Sequence, residues 1–375
     1  MQLNDFMKNK KILVGTSKGL VVFGSADLEG GEKENKWKIE KIHFLGMPVS
    51  TIYKNEITGT WWAGLAHRHW GQKLHFSNDE GQTWETVSAP KYPNGAEIYQ
   101  GKSATLKKIW CISHAGKDDP NGLWIGTEPG GLFYSKDNGK HFELVEGLWN
   151  HPSRKDQNQW FGAGRDFPFI HSIVVDSRDS KHVYVAVSCA GVFETKDGGA
   201  TWHPKNNGLV ATYLPNPKVE VGHDPHLLLA CAKNPDVLWQ QNHCGVFRST
   251  DGGDNWKNIT DKNGIADYGF ALAIDHENEN RAWVIPAISD EVRVGHDLSL
   301  TVCRTGNAGQ SWELLKNGLP QEHCFDIVFR HSLAKSQNEM VFGTTTGNVY
   351  YSRNFGEDWR CFSSNLARVE GVIFT

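Results

Sequence analysis

One phrase recurs along this chain and limits what it can become. It reads SNDEGQTWE from Ser77, SKDNGKHFE from Ser135, TKDGGATWH from Thr195 and STDGGDNWK from Ser249. Two variants with Asn in place of Asp follow, TGNAGQSW from Thr305 and SRNFGEDW from Ser352. The third residues are Asp79, Asp137, Asp197, Asp251, Asn307 and Asn354. They stand roughly 50 to 60 residues apart, a spacing that marks a repeat architecture.

Each copy has a local physical meaning. The carboxylate or amide caps backbone N–H groups of its own turn, the glycine permits positive φ, and the Ser/Thr hydroxyl adds a second local bond. The Trp or Phe three residues after the glycine is expected to fold back as an apolar plug between strands. The phrase is therefore a structural hairpin turn, and its aspartates are poor catalytic candidates. Around the third copy the flanking runs read HSIVVD, HVYVAVS and GVFETKD, with TWHPK after the turn; around the fourth they read HLLLACA, VLWQQNH and GVFRSTD. Four short antiparallel strands per unit are the blade of a β-propeller. These residues resemble the Asp-box, or BNR, repeats of sialidases, xyloglucanases and sortilin-type receptors. The resemblance spans nearly the whole chain and implies the fold, not the activity.

Six copies imply six blades, from about residue 47 to 366. Ahead of them KILVGTSKGLVVFGSAD and NKWKIEKI supply three more strands without a box. The missing innermost strand can come from RVEGVIFT at the C-terminus, a clasp that removes an open sheet edge. The expectation is an all-β, seven-bladed β-propeller of four-stranded antiparallel blades, with N- and C-termini sharing one blade and 1–375 forming a single domain. Six blades with an irregular cap is the alternative.

Composition narrows the class. A formal charge of −4 and a pI near 6.5 give no basic field for nucleic acid. No run of 18 apolar residues occurs, so no membrane-spanning helix is expected. MQLNDFMKNKKILVG lacks an apolar segment and cleavage site, and is not read as a secretory signal. Seven cysteines without paired spacing fit reduced thiols in a cytoplasmic protein. Seventeen histidines is a high count, and their placement matters.

With the box in the turn between third and fourth strands, the second-to-third turns and the connections between blades gather on the opposite face. The second-strand ends GTSKG, GTEPG, AVSCAG, QNHCG and GTTTG align Ser17, Glu128, Ser188, His243 and Thr345. AGLAHRHWG brings His67 and His69 to this rim, and VIPAISDEVR brings Asp290, Glu291 and Arg293. First-strand starts FIHSIVVD and DPHLLLAC align His171 with His226. Arg165 and Asp166 precede the one, His223 and Asp224 the other, and QEHCFDIVF adds Glu322 and His323.

Neutral imidazoles from neighbouring blades can share a divalent ion such as Zn, Fe, Cu or Mn. His171, His226 and His243 are read as the ligand trio, with Glu128 completing the shell. Glu128 or Glu291 would act as general base, Arg165 or Arg293 would hold an anionic group, and His67 would transfer protons. His69, Asp166, His223 and His323 are assigned to substrate contacts. The segment 146–169, EGLWNHPSRKDQNQWFGAGRDFPF, is read as a lid whose Trp149, Asn150, His151 and Arg154 line the entrance. Trp70, Trp149 and Trp160 are the tryptophans free to meet a substrate.

Three functions compete. The first is metal-assisted hydrolysis or elimination on a small polar or anionic molecule, with no nucleotide or flavin. The second is a sialidase-like glycosidase using Glu128 and Glu291. Sialidases carry an Arg-Ile-Pro start and three substrate-binding arginines; here VIPA at Val284 lacks the arginine, and arginines on the presumed face are few. The third is a binding scaffold, which has no need to concentrate histidines on one rim. Oligomeric state is not encoded legibly.

Overall fold

The computed structural model describes residues 10–26, 36–67, 69–162 and 164–375. The reading of the extreme N-terminus concerns mainly residues 1–9, which lie outside these. Seven four-stranded antiparallel sheets are arranged as the blades of a propeller. Blade four is representative, with strands Phe169–Val175, Val183–Ser188, Gly191–Thr195 and His203–Pro204 running outward from the axis. Its second and third strands are buried along their whole length. Such double-sided burial explains their near-continuous Val, Ala and Phe content, since each blade is covered by a neighbour on both faces.

Blade one carries no box and is closed from the far end of the chain. Val369–Phe374 pairs antiparallel with Lys11–Thr16, matching Leu13 with Ile373 and Val14 with Val372. Gly19–Ala26 and Lys36–His43 complete that sheet. The clasp is present, and the count is seven.

The six repeated phrases fold alike. In each, the Ser/Thr hydroxyl accepts the glycine N–H four residues on and lies hydrogen-bonded to the Asp or Asn side chain; in blade four these distances are 2.9 and 2.7 Å. The same carboxylate then accepts the N–H of Thr201 at 2.9 Å. The plugs are less uniform than expected. Trp202, Trp256 and Trp359 are buried, whereas Trp84 and Trp312 are only half-buried. The packing between blades four and five shows what a plug does: Trp256 joins Tyr184, Leu228, Leu238 and Phe247 in one apolar layer.

One irregularity recurs where the innermost strands begin. Their pairing with the second strands slips by one residue at Ser50, Trp110, His171, His226 and Phe270. In blade one the slip falls at Glu370. A β-bulge leaves one residue unpaired and re-aims its side chain. Six blades therefore each present a bulged residue at the same level of the axis. Among the described residues no helix is long and apolar enough to cross a membrane.

Candidate functional site

The starts of the innermost strands enclose a cavity of about 280 Å³ on the axis, on the face opposite the boxes. Trp110, Phe169, His226, Tyr268, Phe270 and Arg330 form its wall, with Ser188 and His243 at second-strand ends. A wider basin of about 840 Å³ adjoins it and carries His67 and His69. A further cavity, about 550 Å³, occupies the box side of the axis. Arg330 and His331 border both axial cavities and mark the division between them.

Asp224, His226 and His243 meet at the wall, their candidate ligand atoms all within 4.8 Å of one another. Asp224 Oδ2 lies 3.4 Å from His226 Nε2 and 3.5 Å from His243 Nδ1. Those separations match the edge of a tetrahedron around an ion, about 3.3–3.5 Å for bonds of about 2.0–2.1 Å. The supporting bonds point the same way. Asp224 Oδ1 accepts from Ser188 Oγ at 2.7 Å and from the Cys189 N–H at 3.2 Å, which leaves Oδ2 for the histidines. His226 Nδ1 lies 2.6 Å from the Gly269 carbonyl. A carbonyl only accepts, so Nδ1 carries the proton and Nε2 presents a lone pair, the tautomer that ligation needs.

Burial lowers the pKa of His226 and keeps it neutral against the pull of Asp224. Burial also opposes charge on His243, but Asp224 and Asp290 outweigh it and hold its pKa above the ordinary value. Burial would raise the Asp224 carboxyl; the imidazoles of His226 and His243 and the Ser188 hydroxyl beside it instead keep it well below the usual range.

Cations crowd the rest of the mouth: Lys108, Arg165, Arg293, Arg330 and Arg368 all line it. Some are neutralised. Arg165 Nε donates to Glu128 at 2.5 Å, and Arg368 Nε donates to Glu370 at 2.8 Å. Lys108 lies 3.8 Å from Glu370, and burial pushes its pKa down to about 8.

The placement of the sequence-predicted residues is mixed. His226 and His243 come together, but His171 does not join them. Its Nε2 bonds the Pro225 carbonyl and its Nδ1 the Ser172 hydroxyl, both at 2.8 Å, so neither nitrogen is left for an ion. Asp224 takes that place. Glu128 is 3 % exposed and tied to Arg165 and to the Trp110 indole N–H, 3.3 Å away. Glu291 is exposed and does not line the mouth; its neighbour Asp290 does. Arg293 reaches the mouth as expected. His67 caps the N–H groups of His69 and Trp70 through Nδ1 and borders the adjoining basin with His69.

The segment 146–169 does not form a lid. Trp149 packs against Tyr92 with the Arg154 guanidinium over its ring, and Trp160 is sealed in the core. Arg154 donates to the Trp149 and Glu97 carbonyls at 3.3 and 3.0 Å. Asn150 ends the short helix Glu146–Trp149 on the outside. Aromatic content in a long connection signalled mainly burial, and of the described residues of the segment Gly164, Arg165 and Phe169 reach the mouth. Asp166 and His323 are exposed outside it, Trp70 is exposed elsewhere, and His223 is buried with Nε2 on the Val219 carbonyl at 2.8 Å. Arginines at the mouth are not few: Arg165, Arg293, Arg330 and Arg368 all line it. Asp224 had a signal: it stands two residues before His226, immediately ahead of the strand that begins at Pro225.

No family model matches this chain, and no curated protein matches it in sequence. Solved structures show the shared fold. The GH74 xyloglucanase of Xanthomonas campestris matches 95% of this chain and 54% of its own, at 15% identity and TM-score 0.60. This chain therefore spans about half the length of that enzyme. An ancestral GH74 enzyme matches 87% of this chain and 38% of its own, at 14% identity and TM-score 0.55. YCF48 from Cyanidioschyzon merolae, a protein also solved with a peptide bound, matches 88% of this chain and 94% of its own, at 10% identity and TM-score 0.52. At these identities the likeness shows the fold alone, a β-propeller.

Proposed function

We propose that this propeller is a metal-assisted enzyme acting on a small anionic molecule at its axial mouth, by hydrolysis or elimination. The observation that carries the reading is the convergence of Asp224, His226 and His243, with Asp224 Oδ2 3.4 and 3.5 Å from the two imidazoles and supporting bonds that leave Oδ2 and His226 Nε2 turned toward the shared point. Two imidazoles and one carboxylate suit Zn, Fe or Mn. An ion held there supplies Lewis acidity or a water of lowered pKa. Asp290, whose Oδ2 is 3.8 Å from His243 Nε2, is the carboxylate placed to take a proton. Phe270, stacked on His226 with ring centres 4.6 Å apart, keeps that side of the site dry.

The glycosidase alternative draws on the GH74 likeness of fold, but Glu291 stands outside the cavity and Glu128 is spent on Arg165. Partners are proposed to be small molecules, not nucleic acid. All seven cysteines are unpaired and five are buried, in keeping with a reducing compartment.

Elemental analysis tests the reading. We expect about one equivalent of a transition metal in the purified chain. The variants H226A and H243A should lose it, and D224N should bind it at least tenfold more weakly, all with folding retained. Chelator-treated wild-type protein that takes up no Zn²⁺ or Mn²⁺ would refute it.

A further inference from the structure

Arg330 takes no part in the metal site, yet it lies where the axial channel narrows. It is 8 % exposed, and its Nε donates to the His226 carbonyl at 2.7 Å. Its guanidinium carbon lies 5.3 Å from the ring centres of Trp110 and Phe169 and 5.5 Å from that of Phe270. Among the described residues no carboxylate lies within ion-pair distance, and neither Nη has a protein acceptor. Those nitrogens are not among the polar atoms sealed away from the cavity. Asp224 is the carboxylate that acts on it, beyond ion-pair distance, so a guanidinium this buried gains from a closer counter-charge in the mouth cavity it lines. Arg293 repeats the pattern. Its guanidinium carbon is also 5.5 Å from the Phe270 ring, and its Nε bonds only the backbone carbonyl of Asp290 at 2.9 Å.

We infer that the molecule taken by this site carries a carboxylate, anchored edge-on by the Nη pair of Arg330 with Arg293 as second cation. The planar fork of an arginine matches the two oxygens of a carboxylate, and three aromatic rings around Arg330 exclude competing water. A cavity of about 280 Å³ suits a short acid and not the end of a polymer. Because Arg330 bonds the backbone of His226, an acid anchored there lies beside the metal ligands. A hydroxy- or oxo-acid would thus set its second oxygen toward the ion. This last step rests on the metal-assisted reading; the anchoring does not.

Calorimetric titration of chelator-treated protein separates the two. Acetate and glycolate serve as minimal probes, acetamide as the neutral shape match, and inorganic phosphate as the competing anion. Acetate and glycolate should bind and acetamide should not. Affinity should fall at least tenfold in R330Q and several-fold in R293Q, whose exposed side chain leaves folding untouched. Added Zn²⁺ should tighten glycolate more than acetate; carboxylate binding without any zinc effect would sink the metal reading and leave the anchor standing. Acetamide binding as well as acetate, unchanged affinity in R293Q and R330Q, or preference for phosphate over both acids would each overturn the inference.

Discussion

His331 sits against the axis with Nε2 donating to the His171 carbonyl at 2.9 Å, and Arg330 and Lys108 are the charges nearest it. Burial first, and then those cations, depress its pKa to about 4. His171, wholly buried, is depressed in the same sense. As acid is added, the unfolded chain takes up these protons near the ordinary value of about 6.5, before the folded chain does. Their contribution to stability is complete above that pH and is lost as pH falls toward 4. We expect the urea midpoint to drop between pH 7.5 and 4.5. H331Q should remove about 2 kcal/mol of that drop, which denaturation of both proteins at the two pH values measures. A slope identical to wild type would show that His331 is already solvated. The residues proposed to hold a metal were partly legible because QNHCG and DPHLLLAC end or begin strands. Arg330 was not, because DIVFRHSLA reads as one uninterrupted strand, and nothing in it shows which side chain the axis receives. His171 misled because alignment with His226 shows the level of a residue on the axis but not the rotamer it adopts.

At the level of the element, the six box turns depend on one hydroxyl each. Thr195 Oγ1 accepts the Gly199 N–H, and replacing Thr195 by valine leaves that buried donor unpaired. T195V should cost about 1–3 kcal/mol, read from equilibrium unfolding, with metal stoichiometry unchanged because the turn lies on the far face. Loss of metal in T195V would mean that the two faces are coupled more tightly than their separation suggests. The turns were legible because each is a local bargain among eight successive residues. The bulges at Ser50, Trp110, His171, His226, Phe270 and Glu370 were not, since a register slip belongs to two strands at once. Those bulges carry four residues to the mouth wall that no motif marks: Ser50, Trp110, Phe270 and Glu370.

For the whole molecule, the closure of blade one decides whether seven blades form a ring or an open stack. Val372 is 2 % exposed and packs with Ile12, Val14 and Val349. A chain ending before Val369 would leave Lys11–Thr16 as a bare apolar edge, a template for pairing with another copy. Such a truncation should melt at lower temperature and form oligomers on size exclusion, and a peptide of sequence RVEGVIFT should reverse both. A truncated chain that stays monomeric at the wild-type melting temperature would show that the clasp is dispensable. The clasp was legible only by elimination, from three unpartnered strands at one end and an unassigned apolar run at the other.

That closing strand has a further effect in time. Arg368 and Glu370 reach the mouth on the same segment that joins blade one. During synthesis, a nascent protein already holding His226 and His243 has neither of those groups in place and still gapes on one side. The pocket is therefore walled on that side by the same late event that seals the ring, so a chain still lacking this strand has a cavity open on one side.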